Sequence, residues 1–211
     1  MIGGNFMANT RIGVLGGTFN PAHLGHLILA QDAMELFDLN RVLFVPCDKP
    51  PHKDAAAVIP ATHRLAMLQA ALQGNPAFEI CDLELRRGGA TYTVDTIREL
   101  TRLYPQAELV FIIGADTLPE LHLWKEIDAL LKLCRFVTLA RPGFDLQTLS
   151  EDKLKLPPPW PRTLLSQIAK GHTVEISSSD IRHRAAEGMS IRYLTPTPVE
   201  LYIAEHNLYT G

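Results

Sequence analysis

The chain has 211 residues, 46% of them hydrophobic, and a formal net charge of -3. That length suits one compact domain with a sizeable core. The balanced charge argues against disorder and against a broad nucleic-acid-binding face. Cys47, Cys81 and Cys134 stand far apart. They fit neither a disulfide framework nor a Cys-x-x-Cys metal site, and read as reduced thiols. No apolar run approaches the ~18 residues that span a bilayer, and "MIGGNFMANTR" lacks the regions of a signal peptide. A cytoplasmic protein is expected, its domain at 8–211 and residues 1–7 a disordered lead.

In chain order, "IGVLGG" (12–17) reads as a buried strand ending in glycines. "HLILAQDAMELFDL" (26–39) has apolar residues at helical spacing. "VLFVP" (42–46) is a second buried strand, and "DKPPHKDAAAVIP" (48–60) a proline-rich, charged loop. "ATHRLAMLQAALQG" (61–74) predicts a helix stopped by Gly74. "FEICDLEL" (78–85) alternates like a half-exposed strand. "TVDTIRELTRLY" (93–104) is helical and "ELVFIIG" (108–114) a strongly apolar strand. "DTLPELHLWKEIDALLKLC" (116–134) predicts a helix broken near Leu121–Leu123. "RFVTLARPG" (135–143) is a strand and turn, and 144–172 is irregular, with "LPPPWP" (156–161) non-helical. "HTVEIS" (172–177) predicts a last strand. "SSDIRHRAAEGM" (178–189) is a capped short helix closed by Gly188, and "PVELYIAEHNLY" (198–209) a terminal helix. Strands alternating with helices predict parallel βαβ units in one doubly wound α/β domain with a small helical C-terminal part.

In an open parallel sheet, ligands bind beyond the carboxyl ends of the strands. Gly16, Gly17 and the loop after them are therefore placed for a ligand. Glycines let the backbone approach an anion, and the following helix N-terminus attracts negative charge. His23 and His26 fall three apart in the first helical turn and can point the same way. A single histidine there serves as a cap or lies on the surface; two beside a glycine pair favour a polyphosphate. The loop is neither a dinucleotide fingerprint nor a P-loop, and it lacks the zinc pattern of His at i, i+4 with a Glu. Ser177–Ser179 read alone as a helix N-cap, Asp116 as a cap or a ribose acceptor, and Trp124 as a core residue or a stacking platform.

Taken together, "GGTFNPAHLGH" (16–26) resembles the nucleotidyltransferase pattern Gly-Gly-x-Phe-x-Pro-x-His-x-Gly-His. "ISSSDIR" (176–182) resembles the late Ile-Ser-Ser/Thr-x-x-Ile-Arg element of the same superfamily. With "PPHK" (50–53), "TYTVDTI" (91–97), "FIIGADTL" (111–118), "LW" (123–124) and "ARPG" (140–143), the chain over 11–209 is similar to the bacterial nicotinate mononucleotide adenylyltransferases. The resemblance implies a Rossmann-like nucleotidyltransferase fold. It implies a reaction between ATP and nicotinate mononucleotide that gives deamido-NAD and pyrophosphate, part of NAD biosynthesis, by in-line attack without a covalent intermediate.

By that resemblance His23, His26 and Arg182 are catalytic. Gly16, Gly17, Thr18, Phe19, Gly114, Asp116, Arg141, Ser177 and Ser178 bind ATP with them. Gly17, Asn20, His52, Thr93, Trp124 and Lys125 bind the mononucleotide: Trp124 under the pyridine ring, Thr93 at the nicotinate carboxylate, and His52 with Lys53 in a closing segment. Family members often carry Tyr after the Trp; Lys125 here is a cation suited to a carboxylate. Magnesium is required, held mainly by ATP phosphates, with no protein metal site. The partners are ATP and nicotinate mononucleotide, not nucleic acid or membrane, and self-association is left open. The rivals are a phosphopantetheine or nicotinamide mononucleotide enzyme, a nucleotide sensor without chemistry, and a tRNA-synthetase core. Thr93, Trp124 and the length count against the pantetheine enzyme. The intact histidines and Arg182 count against the sensor, and the missing Lys-Met-Ser-Lys-Ser element against the synthetase.

Overall fold

A computed structural model of the chain describes residues 10–48, 58–140 and 143–210. Its strands are β1 (Thr10–Gly17), β2 (Arg41–Pro46), β3 (Phe78–Ile80), β4 (Ala107–Gly114), β5 (Arg135–Leu139) and β6 (Ile168–Ala169). They form one sheet in the order β3-β2-β1-β4-β5-β6, and every pairing is parallel. The helices are α1 (Leu24–Leu36), α2 (Ala61–Leu72), α3 (Leu83–Arg87), α4 (Thr93–Leu103), α5 (Ile127–Leu133), α6 (Trp160–Ser166), α7 (Ser178–Ala186) and α8 (Thr197–Glu205).

Side chains alternate across a strand, so a strand buried on both faces feeds two cores. In β4, Leu109, Phe111 and Ile113 enter one core and Val110 and Ile112 the other. The first core is covered by α4 (Val94, Ile97, Leu100), α5 (Leu130, Leu131) and α6 (Leu164). The second is covered by α1 (Ala30, Ala33), α2 (Met67, Leu68), α7 (Ile181) and α8 (Val199, Ile203). This is the doubly wound sheet expected from the alternation of elements.

The chain runs outward from β1 to β3, then returns to lay β4 on the other side of β1. The crevice where the order reverses lies between β1 and β4. Gly16 and Gly17 face Val45 and Pro46 of β2, and Gly114 faces Leu139 of β5. All of these positions are at the carboxyl rim.

Four local expectations fail. "FEICDLEL" is a strand only over Phe78–Ile80, on β2; Leu83–Arg87 is helical. Glu84 in that helix is buried to accept from Thr96 Oγ1 at 2.7 Å, a tertiary contact that overrides local alternation. The sixth strand is Ile168–Ala169, and 172–177 has no ladder. Its apolar Ile176 packs against the second core without strand pairing. The prolines of 156–161 lead into a helix at Trp160, as proline does at a first turn. Residues 115–123 form a 3₁₀ helix containing Pro119, and the break falls at Trp124–Glu126, where Glu126 takes φ +49°. The expectation for residues 1–7 and the centre of the 48–60 loop lie outside the described residues.

Candidate active site

Gly16 and Gly17 do different things, and neither has a positive φ. A Cβ on Gly17 would stand 3.0 Å from Phe19 Cζ, so its bare backbone admits the Phe19 ring. On Gly16 a Cβ would meet only Phe111, at an ordinary 3.7 Å. Phe19 itself takes φ +48°, which side chains rarely adopt. Its buried ring stands edge-on to His26, with centroids 5.0 Å apart, and tilts against Phe44 at 5.9 Å. The strained turn is thus held by aromatic packing.

His23 is the N-cap of α1 and is 3% exposed. The His23 and His26 rings stack at 3.7 Å, so the pair does point the same way. The His23 main-chain N–H donates to His26 Nδ1 at 3.3 Å. With Nδ1 accepting, a neutral His26 carries its proton on Nε2, as a donor. Gly25 lies between the two histidines. A Cβ there would sit 3.0 Å from His23 Nδ1 and 3.1 Å from Cε1, so the glycine makes room for the imidazole.

The late motif closes directly on this loop. Arg182 Nη1 donates to the Asn20 carbonyl at 2.9 Å, and Ser178 Oγ to the Pro21 carbonyl at 2.9 Å. Arg182 Nη2 reaches Ser179 Oγ at 3.3 Å. Ser177 caps α7, its Oγ accepting from the Asp180 N–H at 3.1 Å. Asn20 is gripped twice, because Tyr209 Oη donates to its Oδ1 at 2.8 Å. Histidines, serines and arginine from opposite ends of the sequence therefore share one site.

Phe111 links this loop to the expected acceptor side. It lies under Gly16 and edge-on to Trp124, with centroids 6.0 Å apart. Trp124 is half-buried, its ring also against Phe136 at 6.4 Å. Thr93 opens α4 after the N-cap Tyr92. Lys125 Nζ sits 4.4 Å from the centre of the Tyr92 ring and 3.0 Å from Asp95 Oδ2. Its charge is met by a carboxylate and an aromatic face, and it pins the Trp124 segment to the start of α4. Asp116, exposed after Gly114, lines a cleft of about 670 Å³ together with Gly143, Ser177 and Asp180. A second cavity, about 460 Å³, opens at the amino ends of β4 and β5, away from the glycine loop. His52 and Arg141 lie outside the described residues.

A model of the cytidylyltransferase-like family matches residues 14–184. The chain belongs to the cytidylyltransferase-like family. It is 46% identical over 200 residues to a Desulfitobacterium hafniense (strain Y51) protein named "Probable nicotinate-nucleotide adenylyltransferase", covering 94% of this chain and 95% of that one. A Thermomicrobium roseum protein of the same name is 46% identical over 202 residues, covering 95% and 92%. Among solved structures, Plasmodium falciparum nicotinic acid mononucleotide adenylyltransferase complexed with NaAD superposes with a TM-score of 0.75 at 21% identity, over 95% of this chain and 97% of that one. That likeness speaks for the fold.

In this cytidylyltransferase-like chain, sequence reading gave no role to Gly25, though it stands in the first motif, and missed three further contributors: Arg64, Tyr209 and the Asp32–His172 pair. The buried Asp32 of α1 accepts from the His172 main-chain N–H and holds its Nδ1, both at 2.6 Å. A side chain on Gly171 would collide with the same carboxylate. The pair tethers the segment leading to Ser177 onto α1. A missing side chain at 171 and a carboxylate on the apolar face of α1 are the only sequence signals of it. Cys134 is buried, its thiol pushed up to about 12 by desolvation, in keeping with an inert reduced cysteine.

Gly25→Ala should keep the fold by circular dichroism, alanine being the better helix former. It should lower turnover about tenfold, because the His23 ring must move. The Asp32 carboxylate raises the His172 imidazole above its usual range. The contact's contribution to stability is therefore complete below about pH 6.5 and is lost as pH climbs through the raised value. Urea titrations of wild type and His172→Ala across that range should show a difference in midpoint that narrows as pH rises.

Proposed function

We propose that the chain transfers the adenylyl group of ATP to nicotinate mononucleotide, giving deamido-NAD and pyrophosphate. The observation that carries this reading is the pair of hydrogen bonds from Arg182 and Ser178 to the Asn20 and Pro21 carbonyls. They set two anion-binding helix starts, those of α1 and α7, against each other at the crevice. Relatives 46% identical over nearly their whole length bear the corresponding name.

In this reading the triphosphate lies between the Gly16–Phe19 turn and α7. Main-chain N–H groups, the Ser177 and Ser178 donors, His23, His26 and Arg182 face its oxygens. Gly114, Asp116 and Arg141 serve the ribose and adenine. The mononucleotide lies on Trp124 with its carboxylate at Thr93, and Gly17, Asn20, His52 and Lys125 complete its site. An oxygen of its 5′-phosphate attacks the α-phosphorus of ATP. A new P–O bond forms while the α–β bridging bond breaks, and the electron pair leaves on pyrophosphate. No side-chain nucleophile is needed; placement and charge stabilisation supply the rate. His26, with its proton on Nε2, donates to oxygens on which charge grows.

Magnesium suits this donor set as a companion of the phosphates. Among the described residues no group of three or more His, Cys, Asp or Glu side chains could hold a metal ion. Asp116 is the carboxylate the chain would offer, alongside phosphate oxygens and water. When bound, the ion would neutralise triphosphate charge. Among the described residues no helix is long and apolar enough to cross a membrane, and the substrates of this reading are small nucleotides.

A pyrophosphate-release assay with each acceptor tests the reading. The nicotinate form should react at least about tenfold faster than the nicotinamide form, since only the acid can use charge-assisted contacts at Thr93; equal rates would refute the acid preference. His26→Ala should lower kcat at least ~100-fold while ATP still binds, as expected for a contact made mainly in the transition state.

A further inference from the structure

Helix α2 turns Met67, Leu68, Ala71 and Leu72 into the second core. One turn earlier on the same stripe stands Arg64, 1% exposed. Among the described residues, four of its five N–H groups find acceptors. Nε donates to the Ile59 carbonyl at 3.2 Å. Nη1 donates to the Thr18 and Cys47 carbonyls, each at 2.8 Å, and Nη2 to the Asp48 carbonyl at 3.0 Å. Each of these acceptors is a main-chain oxygen. A guanidinium held, among the described residues, by neutral dipoles in a core is an expensive way to gain stability, and a leucine would continue the apolar stripe. The residue is better explained by what it holds.

Its acceptors come from three places at the rim. Thr18 follows Gly17 in the loop after β1. Cys47 and Asp48 leave β2, and Ile59 enters α2. The Cys47 N–H also donates to the Gly17 carbonyl at 3.0 Å, so adjacent strand ends are joined twice. A peptide unit is planar and trans, with C=O and N–H opposed. Drawing the Thr18 carbonyl inward onto Arg64 therefore turns the Phe19 N–H the other way. That N–H belongs to the strained residue whose ring meets His26. The positive charge of Arg64 also reaches this region. Burial pushes the Tyr209 phenol up against the opposing pull of both Arg182 and Arg64.

We propose that Arg64 is a positioning residue for adenylyl transfer: by fixing the Thr18–Phe19 peptide against the end of β2, it aims the Phe19 N–H at the reacting phosphate and adds buried positive charge behind it. This rests on the activity proposed above. Arg64 touches no substrate in this role and acts through the turn.

The test compares Arg64→Lys with Leu68→Ala, a core truncation one turn along α2, both assayed well below their melting temperatures. Lysine keeps the charge but cannot span carbonyls on three segments. Arg64→Lys should lose at least about tenfold in kcat, with the KM for ATP raised less than about threefold. Leu68→Ala should melt lower yet keep the wild-type kcat. An unchanged kcat in Arg64→Lys overturns the proposal, as does an equal kcat loss in Leu68→Ala. Arg64→Gln gives the same readout if Arg64→Lys is recovered unfolded. Failure of both to fold marks Arg64 as purely structural and also overturns it. Wild type assayed in parallel separates the two readings. If it releases no pyrophosphate, the proposed activity falls and this role with it; if it is active and Arg64→Lys is unimpaired, only the role of Arg64 falls.

Discussion

The hydrogen bond from Arg182 to the Asn20 carbonyl spans 162 positions of sequence and joins the two halves of the rim. Its companion from Ser178 to Pro21 fixes the angle between α7 and the loop after β1. Neither bond is strong; a net contribution near 1 kcal/mol is typical, somewhat more with a charged donor. Their value is geometric. They bring the starts of α1 and α7 together as facing walls of one site.

The loop between β1 and α1 is held from every side. Phe19 is wedged against Gly17, His26 and Phe44. Asn20 is gripped by Tyr209 and Arg182, and Thr18 by Arg64. A residue at φ +48° costs free energy, and surrounding contacts must hold it there. Such over-determination is expected where charge must be met by dipoles that do not reorganise during reaction. The aromatic network beneath, from Gly16 through Phe111 to Trp124, puts Trp124 on the same packed floor.

The sheet was legible because long apolar strands such as "VFII" and the regular alternation of elements leave few topologies. The first motif was legible because a glycine pair and two histidines at a strand end have few structural uses in combination; the second reads alone as a helix N-cap, and only its resemblance to a known superfamily element set it apart. Short elements were less so. β6, at two residues, carries too little periodicity to be seen, and β3, at three, was seen but drawn too long. The supporting contacts were hidden for a different reason. Arg64 reads as one polar residue in a helix until its neighbours in space are known. Tyr209 and His172 lie 189 and 140 positions from the groups they hold. A cation on an apolar stripe, as at 64, 67, 68, 71 and 72, was the signal that pattern offered for Arg64.

The span of the Asn20 contacts also bears on the order of synthesis. Residues 10–139 contain five of the six strands among the described residues, and these can begin to pair as they leave the ribosome. The loop after β1, however, stays open on one side until residue 182 has emerged, and the asparagine side chain lacks its phenol partner until residue 209. A nascent or clipped chain short of that point would hold most of the sheet without these contacts to the loop after β1.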